Sequence, residues 1–170
     1  VFDSVGDLIA NAPHMPVHLG SMGESVKAVL NQYRNSLKSG DVYILNAPYN
    51  GGTHLPDITV VTPIFDQSGN TLEFVVACRA HHADIGGKTP GSMPATSITI
   101  EEEGVLLDNL LLVSDGVFLE KNIRKILSDS PYPARNPDQN IADLKAQVAA
   151  NTKGVLELTN MIKRFGRDVV

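Results

Sequence analysis

The chain has 170 residues, 42% of them hydrophobic and 19% charged, enough for one domain with its own core and typical of a soluble globular composition. A net charge of -5, scattered lysines and arginines and the lack of tryptophan exclude a nucleic-acid surface, which needs a basic stripe and stacking aromatics. No apolar run reaches membrane-spanning length. Cys78 is the only cysteine, so an intrachain disulfide is excluded and a reducing, cytoplasmic setting fits at least as well as secretion.

Val1 to Ala10 alternates loosely and predicts a short strand or hairpin. In Asn11 to Gly20, Pro13 and Pro16 flank His14 and exclude a helix interior, so the four-residue spacing of His14 and His18 does not make a ligand pair. His14 reads as a packed or solvated residue; His18 stays open between that and a ligand. Ser21 to Leu37 predicts a helix, with Val26, Val29, Leu30, Tyr33 and Leu37 on one face and Ser21 and Glu24 in the form of a capping box. Asp41 to Asn46 predicts a strand. The loop after it carries Gly51-Gly52, which allow a tight fold that presents amides or His54 to a ligand.

Ile58 to Phe65 and Thr71 to Cys78, rich in Val, Ile, Thr and Phe and parted by Gln67-Ser68-Gly69-Asn70, predict a β-hairpin with Cys78 as core filler, a nucleophilic role three positions before His81 staying open as the minor reading. Gly86 to Pro94 is a turn-rich loop, a lid or a connector; its Gly87-Lys88-Thr89 fails as a phosphate loop because Pro90 and Gly91 stop any helix. Ser97 to Ile100 predicts a short strand, Glu101 to Glu103 a solvated turn, and Val105 to Val113 a core strand. Leu119 to Leu127 predicts a second helix and the prolines from Ser130 to Pro137 an extended connector. Asp138 to about Phe165 predicts a long amphipathic helix with Gly154 as a soft point, its apolar face covering the core or docking a partner. The expected architecture is a single α+β domain over 1–170: a mixed or antiparallel sheet with flanking helices and a long C-terminal helix.

An antiparallel hairpin carries the residues before its first strand and after its second to the same end of the sheet. That gathers His54 and Asp57 with His81, His82 and Asp84. Imidazoles and carboxylates so gathered suit a divalent metal, and without one they suit a general base and an electrostatic clamp. Neighbouring strand residues point to opposite faces, so His81 is the member of its pair expected at the shared centre. The expected ligands are His54, Asp57 and His81, with His82 and Asp84 as candidate catalytic residues that contact substrate or back the ligands. Zinc, manganese and iron all tolerate such ligands, so the ion stays open. A serine triad lacks its Gly-x-Ser-x-Gly turn.

Asn46-Ala47-Pro48-Tyr49-Asn50-Gly51-Gly52-Thr53-His54-Leu55-Pro56-Asp57, Ala80-His81-His82-Ala83-Asp84-Ile85-Gly86-Gly87, Pro90-Gly91-Ser92-Met93-Pro94, the Ser130 to Pro137 run and Asn140 to Gln147 together resemble the hydantoinase B/oxoprolinase family over nearly the whole chain. Members are several times longer, so the resemblance implies a piece of a B subunit or B-like domain. It further implies an ATP-dependent hydrolase of small cyclic amides, 5-oxoproline or a hydantoin, in an oligomer whose A-type subunit or domain binds the ATP. A metal on the similar acetone carboxylase branch supports His54, Asp57 and His81 by motif position. The competing readings are a scaffold segment that docks a partner through its long helix, and part of an acetone-carboxylase-like enzyme.

Overall fold

β-Branched and aromatic residues on either side of a polar turn give the molecule its central pairing. The computed structural model describes residues 1–12, 18–167 and 169–170, so His14 lies outside the described residues. Strands β3 (Asp57–Phe65) and β4 (Leu72–His81) pair antiparallel from Asp57↔His81 to Phe65↔Leu72, as the hairpin reading expects. Asp66 closes the turn: its Oδ1 accepts from Ser68 Oγ at 2.8 Å and from the Asn70 amide at 3.1 Å.

The remaining strands are β1 (Phe2–Asp3), β2 (Val42–Leu45), β5 (Leu110–Ser114) and β6 (Val117–Phe118), in a six-stranded sheet of order β1-β4-β3-β2-β5-β6 with every neighbouring pair antiparallel. The helices are α1 (Leu19–Gln32), the single turn α2 (Ile100–Glu103), α3 (Glu120–Ser128) and α4 (Pro137–Phe165). This is the expected α+β fold, with the sheet wholly antiparallel.

Strand alternation divides the core in two. On one face Tyr43, Leu45, Val61 and Val75 pack with Phe2 and with Val26, Val29 and Leu30 of α1. On the other, Ile44, Ile58, Val60 and Leu112 pack with Ile123 and Leu127 of α3 and Ile141 and Leu144 of α4. α4 starts at Asn136, whose side chain accepts from the Gln139 amide at 3.3 Å with Pro137 in the first turn, and ends at Gly166 with Lys163 and Arg164 in its last turn. Gly154 is no break in it: a Cβ there would lie 3.1 Å from Val76 Cγ1, so the glycine permits a close approach to β4.

Three expectations are corrected. α1 begins at Leu19 with His18 at its N-cap, so Ser21 lies inside the first turn and the Ser21–Glu24 capping box does not form; the helix also stops at Gln32, before Leu37. Ser97 to Ile100 forms no strand, and Glu101 to Glu103 belong to α2. In Val105 to Val113 only the part from Leu110 is strand. The buried Asn46 side chain accepts from the Leu107 amide at 2.6 Å and donates to Val105 O at 3.0 Å, replacing ladder bonds, and Asn109 takes φ 49°.

Candidate metal centre at the end of the central hairpin

The site is built on one rung. Asp57 and His81 face each other as the first pair of β3 and β4, and the chain turns back just before them, where the Asp57 amide donates to His54 O at 3.0 Å. That turn lets His54 and Asp57, three residues apart, present their side chains to one point. The loop carrying His54 is fastened at both ends. Asn46 Nδ2 donates to Leu55 O at 2.8 Å, and Gly51, at φ 89°, lies so close to α1 that a Cβ would come 2.8 Å from Ala28 Cβ while Ser25 Oγ donates to its carbonyl.

Asp57 is the hub. Its side chain is 7% exposed, with Oδ2 3.0 Å from His54 Nδ1 and Oδ1 3.0 Å from His81 Nδ1. Thr53 Oγ1 donates to Oδ2 at 3.4 Å, and His18 Nδ1 approaches the same oxygen at 3.9 Å. The two imidazoles stand beside each other with centroids 5.1 Å apart, His54 one-third exposed and His81 more open. A buried carboxylate reached by open imidazoles has ligands and access in one place.

The donor set fits a divalent cation. Ligand atoms from His54, Asp57 and His81 lie within 4.8 Å of one another, and the His81 ring is open to solvent. Both carboxylate–imidazole separations, 3.0 Å, are hydrogen-bond distances, and opening them by a few tenths of an ångström gives the roughly 3.4 Å between ligands of a tetrahedral ion. An ion held by these three residues alone would keep coordination positions for water or substrate.

His82 and Asp84, expected as catalytic residues, are engaged elsewhere. His82 points to the α4 face, 1% exposed, where its Nδ1 accepts from Asn140 Nδ2 at 3.1 Å and its Nε2–H donates to Gln147 Oε1 at 3.0 Å. Burial lowers its pKa and keeps it neutral, against the opposing effect of the Gln147 bond. Asp84 holds a loop together: Oδ1 accepts the amides of Gly86 (2.9 Å) and Arg135 (3.2 Å), Oδ2 the Gly91 amide (3.0 Å) and Arg135 Nη1 (2.7 Å). Partial burial works to raise its pKa, but these four donors outweigh it and hold the carboxyl below its usual range.

Sequence reasoning gave no role to two residues the fold uses here. Asn46 fixes the His54 loop, a job that depends on residues as distant as Val105 and Leu107. Arg79 lies one rung along from His81 on the same face, opposite Thr59.

An antiparallel sheet packed on both faces, with a His/Asp/His cluster where its central hairpin opens, defines an α+β domain carrying a candidate metal centre. The chain belongs to the hydantoinase B/oxoprolinase family, whose family model matches residues 1–170. It is 50% identical over 171 residues to the 5-oxoprolinase of Saccharomyces cerevisiae, a match that covers 97% of this chain and 13% of that one. To caprolactamase subunit beta of Pseudomonas jessenii it is 29% identical over 170 residues, all of this chain and 28% of the other. The crystal structure of the ATP-dependent caprolactamase from that organism matches with a TM-score of 0.86 at 29% identity, over 98% of this chain and 28% of that chain. A nucleotide-free acetone carboxylase structure shares the fold, with a TM-score of 0.79 at 20% identity over 90% of this chain and 20% of that one. The chain thus spans less than a third of the length of each of these proteins. Among the described residues no helix is long and apolar enough to cross a membrane.

Proposed function

We propose that this chain supplies a metal-bearing site to an ATP-dependent hydrolase that opens small cyclic amides of the 5-oxoproline or hydantoin kind, in a cytoplasmic assembly whose A-type subunit or domain binds the nucleotide. The observation that carries this reading is the Asp57 carboxylate set between two imidazoles at a ligand spacing. The names of its relatives, 5-oxoprolinase and ATP-dependent caprolactamase, support the reaction class.

His54, Asp57 and His81 would hold the ion, which when bound polarises an amide carbonyl or acidifies water. A lactam carbonyl is a poor electrophile, which is why ATP is needed. The residues of this chain orient the ring: Asp57 fixes both imidazoles, and Asn46 and Gly51 fix the loop that brings His54 in. In this reading His82 and Asp84 act as positioning groups, His82 by locking β4 to α4 and Asp84 by fastening the loop after it.

The test uses the full-length protein with its A-type partner. Metal analysis should find bound divalent ion in the wild type and a loss of at least tenfold in His54→Ala and His81→Ala, with ATP-dependent ring opening of 5-oxoproline or hydantoin falling in parallel. The scaffold reading rests on Leu156, Met161 and Phe165 of α4, each about half exposed. Metal-free wild-type protein with full lactam turnover would favour it.

A further inference from the structure

The rung after Asp57↔His81 on the same sheet face is Thr59↔Arg79, and same-face rungs recur about every 6.8 Å along a strand. A guanidinium therefore stands beside the imidazole–carboxylate cluster. Neutral hydroxyls aim it: Nε donates to Thr59 Oγ1 at 2.8 Å, Nη1 to Ser21 Oγ at 2.6 Å and Nη2 to Ser25 Oγ at 2.7 Å. Ser21 and Ser25 are one helical turn apart in α1, so helix and hairpin together fix the fork. With five N–H donors and three in use, two remain.

Among the described residues no carboxylate lies within ion-pair distance of Arg79, whereas Arg124 and Arg135 are both paired. The carboxylate acting on it from farther off is Asp57, whose two oxygens are held by His54 and His81. Burial disfavours the charged form. A half-buried cation satisfied only by hydroxyls is costly, and the cost is recovered when an anion arrives. The space for one is present: Arg79 lines a cavity of about 500 Å³ with Met22 and with His18, whose imidazole also reaches Asp57.

We propose that Arg79 recognises a carboxylate on the substrate, so that the site selects a lactam with a carboxylate beside the ring nitrogen over a neutral lactam of the same ring. The inference rests on the lactam-hydrolase reading above. It assigns the ring amide to the His54–Asp57–His81 cluster and the carboxylate to the guanidinium, on one sheet face. Arg79 is then a specificity residue, and its fork geometry, matched to a planar anion, is the reason for arginine and not lysine.

The experiment uses the full-length enzyme with its A-type partner and ATP, and three substrates: 5-oxoproline, its carboxamide and 2-pyrrolidinone. The wild type should favour 5-oxoproline over both neutral rings by about 100-fold in kcat/KM, the range of a charge-assisted pair. Arg79→Gln should abolish that preference, chiefly through KM for 5-oxoproline, and Arg79→Lys should retain part of it. Equal losses on all three substrates in Arg79→Gln would mark a structural clamp and overturn the proposal. So would a wild type indifferent to the carboxylate, a result that needs no variant to fold. Wild-type enzyme inert toward every lactam would sink the hydrolase reading itself, and the proposal with it.

Discussion

Asp57 offers two acceptor oxygens and the fold gives each an imidazole, while Cys78, on the opposite sheet face, is kept from chemistry. Burial pushes the Cys78 thiol up to about 11, despite a hydrogen bond with Gln147 that works the other way, and Sγ donates to Gln147 O at 3.5 Å. Alkylation by iodoacetamide should therefore rise with a midpoint near pH 11, not near the 9.0 of an ordinary thiol. Because folding raises this pKa, the stability carried by the neutral thiol is intact below pH 9.0 and declines as pH climbs through about 11. A midpoint at ordinary thiol values would contradict the buried setting. At this scale the sequence exposed Asp57 and His81, because a hairpin with alternating side chains leaves little freedom at its open end. Arg79 stayed hidden, since its meaning depends on Ser21 and Ser25, far off in the chain, and on the absence of a carboxylate partner among the described residues.

Among the elements, the hairpin and α4 were legible because pattern and punctuation agree: β-branched runs around Asp66 to Asn70 in one, Asn136-Pro137 before an apolar stripe in the other. Where side chains took over backbone hydrogen bonds, the local signal misled. Asn46 satisfies Val105 O and the Leu107 amide, so the first half of an apolar run that reads as strand stays outside the ladder. Ser21 and Glu24 spell a capping box, yet Ser21 Oγ instead donates to His18 O and accepts from Arg79. The loop between β2 and β3 gives a test of this anchoring. A Cβ on Gly52 would lie 2.5 Å from the carbonyl carbon and oxygen of Asn46, with no flexible side chain to yield. Gly52→Ala should destabilise by about 3 kcal/mol, as overpacking does, and should release His54, lowering metal content. Gly69→Ala, with nothing within 4 Å of its new Cβ but φ 74°, should cost only roughly 1 kcal/mol of backbone strain. Similar unfolding midpoints for the two variants would show that the Asn46 contact does not anchor the loop.

Across the whole molecule the sheet acts as a partition. On the α1 side lie Asp57, His81, Arg79 and the approach of His18; on the α4 side Asn140, Gln147 and Asn151 reach from one helix to the hairpin. Gln147 Nε2 donates to Ile58 O at 2.9 Å and Asn151 Nδ2 to Val60 O at 3.0 Å, so the helix is fixed to the strand that carries Asp57 by polar bonds within an apolar interface. Such bonds set register, because a displaced helix would leave buried amides unpaired. His81 and His82, adjacent in sequence, therefore belong to different layers and should have separable effects. His81→Ala removes an exposed ring from the site, so metal content should fall while amide hydrogen exchange in β3 and β4 stays near wild type. His82→Ala deprives Gln147 Oε1 of its donor and opens a cavity, a loss of about 2–3 kcal/mol. Exchange at Ile58 and Val60 should then quicken by roughly 30-fold or more, the opening free energy falling by that amount. If His81→Ala loosened the hairpin as much as His82→Ala, the two layers would be one cooperative unit, and the candidate metal centre could not be separated from the packing behind it.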